Sequence, residues 1–161
     1  MLRSVALPEH LASGRLYLCS MPGRFEALDV FRQEVVESGV GHVLCLVSDE
    51  EIAKKSPDYL VALQRDEFPV KFLRNEIPDY GMPENPDTLK QALDLIRNRL
   101  DEGESVVIHC AAGHGRTGMV SVLLLTRMGI PLEQAIKIIS LAGSAPDTQA
   151  QMNFVKMHAS L

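Results

Sequence analysis

Cys110 and Arg116 stand six positions apart in the stretch VVIHCAAGHGRTGMV, Val106 to Val120, with Ala111, Ala112, Gly113, His114 and Gly115 between them. A thiol and a guanidinium at this spacing, joined by small residues, suit the binding of an anion and its attack by sulfur. Gly113 and Gly115 supply backbone conformations that other residues resist, so the loop can curl with successive N–H groups pointing inward. A helix opening near Gly115 adds the positive end of its dipole, and Arg116 adds a planar fork matched to two oxygens of a phosphate. The same field favours a Cys110 thiolate at neutral pH.

Such a loop works only if rigid elements hold it. Short apolar, partly β-branched runs at Arg15 to Ser20, Gly41 to Val47, Val70 to Glu76 and Ser105 to Cys110 read as buried strands. Helical patterns lie between and after them. In NPDTLKQALDLIRNRLDEG, Asn85 can cap and Pro86 suits the first helical position; Leu89, Leu93, Ile96 and Leu100 recur at helical spacing, and Gly103 stops the run. The last third reads as helix near Gly115 to Met128, Leu132 to Leu141 and Asp147 to His158. The alternation predicts an α/β three-layer sandwich, a central, mainly parallel sheet flanked by helices, forming one domain over 1–161. Ligands in such folds sit at the carboxyl ends of the strands, where Cys110 falls.

Composition narrows the partners. The chain has 161 residues, 46% of them hydrophobic, and a formal charge of −5. It has no broad basic footprint of the kind that nucleic-acid binders carry. No window approaches the ~20 apolar residues of a membrane span, and the first residues lack a signal-peptide pattern, so the expectation is a cytoplasmic chain with neither nucleic-acid nor membrane partners. Cys19, Cys45 and Cys110 are odd in number, far apart and without a CxxC pair, which suits a reducing compartment and argues against a structural zinc site.

The segment HCAAGHGRTG matches the HCxxGxxR[ST] signature, and the chain resembles the cysteine-dependent protein tyrosine and dual-specificity phosphatases, especially compact archaeal and bacterial, Cdc14-like and kinase-associated members. The resemblance is concentrated between about Ile77 and Phe154. It implies a phosphatase domain in which Cys110 attacks phosphorus to form a phosphocysteine, Arg116 holds the phosphoryl oxygens, and Thr117 hydrogen-bonds the sulfur and helps it leave. The backbone from Ala111 to Gly115 would line the phosphate site. His109 would order the loop, and His114 would either rim the pocket or face water. Asp79, in EIPDYGMPENP, 31 residues before Cys110, holds the place of the acid that protonates the leaving oxygen; Glu84, Asp87 and Asp58 compete less well, since Asp58 and Asp87 fall at helix openings.

One departure appears near the last helix. SAPDTQAQMNF resembles the family's Q-T-x-x-Q-x-x-F segment, whose first glutamine positions the hydrolytic water; Thr148, Gln151 and Phe154 match, while Asp147 replaces that glutamine. Gln151 is the supporting candidate for the water. Some relatives capture an oxidised nucleophile with a nearby cysteine, a role open to Cys45, although core packing explains it more simply.

The resemblance implies a phosphorylated protein or peptide as substrate, phosphotyrosine and possibly phosphoserine or phosphothreonine, with phosphate-like oxyanions as inhibitors and no metal or cofactor. The alternative substrate is an inositol phosphate or phosphoinositide, for which relatives often place lysines where Ala111, Ala112 and His114 stand. A non-enzymatic phosphate-binding module is expected to lose the cysteine or the arginine, and both are present.

Overall fold

The computed structural model describes residues 1–159, so the last two positions of the expected domain lie outside it. Among the described residues five strands form one sheet: β1 (Arg3–Ser4), β2 (Leu16–Cys19), β3 (Val40–Cys45), β4 (Lys71–Arg74) and β5 (Ser105–His109), in the spatial order β1-β2-β5-β3-β4. β1 runs antiparallel to β2, and the other neighbours are parallel. The last strand in sequence is thus the middle one in space. Its end at His109 lies level with Cys19 of β2 and Cys45 of β3, which places the following loop between two strand ends.

The helices are α1 (Leu28–Glu37), α2 (Asp49–Lys55), α3 (Pro57–Gln64), α4 (Pro86–Asp101), α5 (Gly115–Arg127), α6 (Leu132–Leu141) and α7 (Gln149–His158). The connections from β2 to β3 and from β3 to β4, carrying α1 and then α2 and α3, lead away across the sheet, and the return to β5 carries α4; the right-handed rule for parallel crossovers puts α4 on the opposite face from the other three. On the first face an aromatic cluster joins Phe31 of α1, Tyr59 of α3, Phe72 of β4 and Phe68 just before that strand. On the second, α4 and α5 pack on β5, with α6 and α7 against α5. The outcome is the expected mainly parallel sheet between helical layers.

α4 begins as its sequence predicts: the Asn85 side chain accepts from the N–H groups of Asp87 and Thr88, and Pro86 occupies the first turn. Leu89, Leu93, Ile96 and Leu100 are its buried stripe, and truncating a side chain such as Leu93 to alanine would cost roughly 2–5 kcal/mol. α5 differs in kind, because every residue from Gly115 to Thr126 is buried. The helix that leads out of the phosphate loop is enclosed by neighbours along its length, so the loop is anchored at both ends. α7 starts two residues later than the periodicity suggests. Thr148 caps it, its hydroxyl accepting the Gln151 N–H at 3.0 Å, and Asp147 therefore stays outside the helix.

Candidate active site

The loop from Cys110 to Gly115 is held by backbone bonds to both neighbouring strand ends. The Ala111 carbonyl accepts the Met21 N–H at 3.1 Å, just beyond β2, and the His109 carbonyl accepts the Leu46 N–H at 3.0 Å, just beyond β3. Gly113 has φ of +73°, and a Cβ there would collide with the Cys19 carbonyl. Both facts require glycine, one through conformation and the other through space. The His114 carbonyl then accepts the Gly118 N–H, closing the first turn of α5.

His109, buried beneath this loop, has a tautomer that follows from its partners. Nδ1 lies 2.9 Å from the Cys110 carbonyl, which can only accept, so Nδ1 carries the proton. Nε2 lies 2.8 Å from the Tyr59 hydroxyl and accepts from it. Burial pulls the His109 imidazole down to about 4, which keeps it neutral and keeps this chain intact at physiological pH. These two bonds tie the imidazole to the Cys110 carbonyl on one side and to α3 on the other.

The three cysteines are all unpaired and buried, yet their surroundings differ. Burial pushes Cys19 up to about 12 and raises Cys45 as well. Burial also acts against a charged Cys110, but it is outweighed by the Thr117 hydroxyl and N–H, the Arg116 charge and the His114 N–H, and the net shift is downward. The Thr117 Oγ1 donates to Cys110 Sγ at 3.0 Å. Among these thiols, only Cys110 is poised as a nucleophile. Cys45 sits in β3 with its Sγ 3.7 Å from the Val47 carbonyl, in keeping with core packing.

Arg116 is 2% exposed and its donors are nearly all committed. Nη1 donates to Glu51 Oε1 at 2.8 Å and to the Ile77 carbonyl at 3.0 Å; Nη2 donates to Glu51 Oε2 at 2.8 Å and meets Asp79 Oδ1 at 3.2 Å. A guanidinium has five N–H groups in a fixed fork. The end-on pair with Glu51 therefore leaves its side edge, Nε and the Nη2 proton now turned to Asp79, as the part able to take two oxygens of a phosphate. Glu51 is one residue that sequence reading missed. Its only local signal is Ser48-x-x-Glu51 at the start of α2, a capping pattern in which Ser48 Oγ accepts the Glu51 N–H at 3.1 Å. That pattern marks a helix end and says nothing of a partner 65 residues away.

Asp79 is half-exposed, on the segment after β4, with Lys55 Nζ 3.8 Å from its second oxygen. Its Oδ1 also accepts the N–H of Tyr80, whose φ of +58° is unusual for a non-glycine residue. Together with Arg24, Lys55, Tyr80, Asp147 and the loop atoms of Cys110, Ala111, Ala112, Gly115 and Arg116, Asp79 lines a cavity of about 110 Å³. His114 is exposed at the rim; its Nε2 lies 3.3 Å from Asp147 Oδ1. A wider cleft of about 840 Å³ opens near His42 and Glu104 at the other ends of the strands, but its lining includes no thiol.

Gln151, the expected candidate for the water, and Asp147, which replaces the family's glutamine, sit differently. Gln151 is fully buried, with Oε1 accepting the Asp147 N–H at 2.8 Å and Nε2 donating to the Gly81 carbonyl at 3.0 Å. It fastens the segment carrying Asp79 to the start of α7. Asp147 is the one of the two that lines the cavity.

A parallel sheet delivering a thiol, a phosphate-shaped nest and an arginine fork to one cavity defines a cysteine-dependent phosphatase domain. The chain belongs to that class: the family model described as polymorphic toxin system, DSP-PTPase phosphatase, matches residues 19–130. Among curated relatives, a putative tyrosine phosphatase, 197R, of Invertebrate iridescent virus 6 is 37% identical over 89 residues, covering 53% of this chain and 33% of the viral protein. The chain thus spans only a third of that relative's length. Among solved structures, Tk-PTP in its active form is 30% identical with a TM-score of 0.72, covering 91% of this chain and 92% of that one. Kinase associated phosphatase, with its catalytic site cysteine substituted by serine, shares the fold at a TM-score of 0.82 and 22% identity, covering 100% of this chain and 97% of that one.

Proposed function

We propose that the protein hydrolyses phosphate monoesters on phosphorylated protein or peptide, phosphotyrosine first and phosphoserine or phosphothreonine as well, through a phosphocysteine on Cys110. The observation that carries this reading is the pairing of a Cys110 sulfur, activated by Thr117 at 3.0 Å, with an Arg116 fork whose side edge is left for an anion.

In the first step Cys110 Sγ attacks phosphorus, the P–O bond to the substrate breaks, and Asp79 gives its proton to the departing oxygen. In the second step water attacks phosphorus, the P–S bond breaks, and Asp79 takes the water's proton. Thr117 stabilises the departing thiolate. The nest from Ala111 to Gly115, the α5 dipole and Arg116 balance the phosphoryl charge throughout. Asp147 lines the cavity where that water must enter, and Gln151 holds both Asp147 and the Asp79 segment in place.

A cytoplasmic setting fits three unpaired cysteines. The test is steady-state hydrolysis of phosphotyrosine and phosphothreonine peptides and of inositol phosphates in the presence of a chelator. Metal-independent turnover of phosphotyrosine is expected. Turnover confined to inositol phosphates would move the reading to the alternative substrate, and strict dependence on added metal would contradict the mechanism.

A further inference from the structure

The phosphate loop is gripped from outside by a residue of β1. Arg3 Nη2 donates to the Gly113 carbonyl and to Ser144 Oγ at 3.2 Å, while Nη1 donates to the Gly143 carbonyl at 2.9 Å. Ser144 Oγ donates in turn to the same Gly113 carbonyl at 2.6 Å, and Ser144 is buried. One carbonyl of the loop therefore takes two hydrogen bonds, one of them from a cation, out of segments about 110 residues upstream and 31 residues downstream. A peptide unit is planar and trans, so its C=O and N–H point in opposite directions. The far side of this unit is the His114 N–H, one of the groups that favour the Cys110 thiolate.

We infer that Arg3 is a positioning residue for the nucleophile: with Ser144 it fixes the Gly113–His114 peptide so that the His114 N–H stays aimed at Cys110 Sγ. If that plane were free to turn, a carbonyl oxygen could face the sulfur and would repel the thiolate. The guanidinium charge on the carbonyl also polarises the peptide, which makes its N–H a stronger donor. Gly143, with φ of +85°, leaves the Arg3 head room, since a Cβ there would press on Nη1. His114 Nδ1 meets the Gly143 carbonyl at 3.1 Å, so the same short turn between α6 and α7 steadies both Arg3 and the loop residue whose N–H is being aimed.

The inference deepens the proposed function, resting on Cys110 as its nucleophile, but it can be read without substrate. The full chain is alkylated with iodoacetamide across a pH series, and modification of Cys110 is followed by mass spectrometry in wild type, Arg3→Gln, Arg3→Lys and Ser144→Ala. The groups facing Cys110 from other elements, His109, His114, Arg116, Cys19, Asp79 and Asp147, are common to all four proteins and cancel in the comparison. In Arg3→Gln the alkylation midpoint is expected to move to higher pH, with the rate at neutral pH falling roughly three- to tenfold, the scale of one charge-assisted contact. Ser144→Ala should move it the same way by less, and Arg3→Lys should restore part of the loss. If Arg3→Gln fails to fold, Ser144→Ala decides, because it leaves β1 intact. An unchanged midpoint in Ser144→Ala and in any folded Arg3→Gln would overturn the inference. Absence of phosphatase turnover with the midpoint shifts intact would instead count against the proposed function alone.

Discussion

Both carboxylate oxygens of Glu51 meet the Arg116 guanidinium at 2.8 Å, an end-on pair that orients the fork before any ligand arrives. Arg116 contributes 2% of its surface to solvent, so this partner cannot be replaced by water without loss. Glu51→Ala should therefore lower stability by about 3 kcal/mol, as expected when one member of a buried pair is removed. It should also lower kcat/KM for phosphotyrosine peptides by roughly 10- to 100-fold through misorientation of the fork. Denaturant titration and steady-state kinetics check the two effects. Arg116→Lys should be nearly inactive while keeping its charge, since an ammonium cannot serve the carboxylate and the phosphate with one rigid plane.

Stability should depend on pH in two windows. Burial holds folded His109 at about 4 against an ordinary 6.5, so between those values the unfolded chain binds more protons and stability falls as pH is lowered. The Arg116 hydrogen bonds hold Glu51 at about 2 against 4.5; its contribution is complete above 4.5 and is lost as pH falls through 2. Thermal melts from neutral pH into acid should decline across both windows. His109→Gln should flatten the upper one and Glu51→Gln the lower.

Tyr59→Phe isolates the support beneath the loop. It would leave His109 Nε2 buried without its donor, at a cost of roughly 1–3 kcal/mol. The ring edge contacts of Tyr59 with Phe31 and Phe68 are kept, so the loss measured by denaturant unfolding reports the hydrogen bond.

Asp79→Ala should lower kcat by the ~10²–10⁴-fold that a positioned acid supplies, with substrate binding kept. The loss should shrink for aryl phosphates with weakly basic leaving groups. Asp87→Ala is the control, because Asp87 sits in the first turn of α4, where it favours the helix dipole. Normal kcat in Asp79→Ala would remove it from the acid's role.

Asp147 and Gln151 should separate kinetically. Asp147→Ala is expected to slow breakdown of the phosphoenzyme more than its formation, giving a larger burst relative to steady turnover. Gln151→Ala should slow both steps and lower stability, because it releases Asp147 and the Gly81 carbonyl together. Rapid-quench kinetics distinguish the two patterns.

The loop, its strand and α4 to α7 were legible because their signals are local: glycines at a turn, an Asn-Pro helix start, apolar side chains at helical spacing. α1 carries no capping side chain, since Ala27 precedes it, and only Phe31 and Val35 are buried along it, so its pattern is faint. β1 is two residues long and has no pattern to read. The site residues that escaped notice act across the fold. Glu51 reaches Arg116 over 65 residues and Arg3 reaches Gly113 over 110, and such pairs exist only once the sheet has placed β2, β3 and β5 side by side. The Asp147 departure was visible in sequence, but its exclusion from α7 by the Thr148 cap was not, and that exclusion is what leaves its carboxylate at the cavity.

If phosphate passes through Cys110, the covalent intermediate can be trapped there. A phosphotyrosine peptide carrying labelled phosphate is mixed with the protein, quenched within the first turnovers, and the digested chain is mapped by mass spectrometry. The label should appear on the peptide containing Cys110, decay as phosphate is released, and be absent from Cys110→Ser, which should still bind phosphate-like oxyanions. Turnover without label on Cys110, or label fixed on His114 instead, would contradict the account.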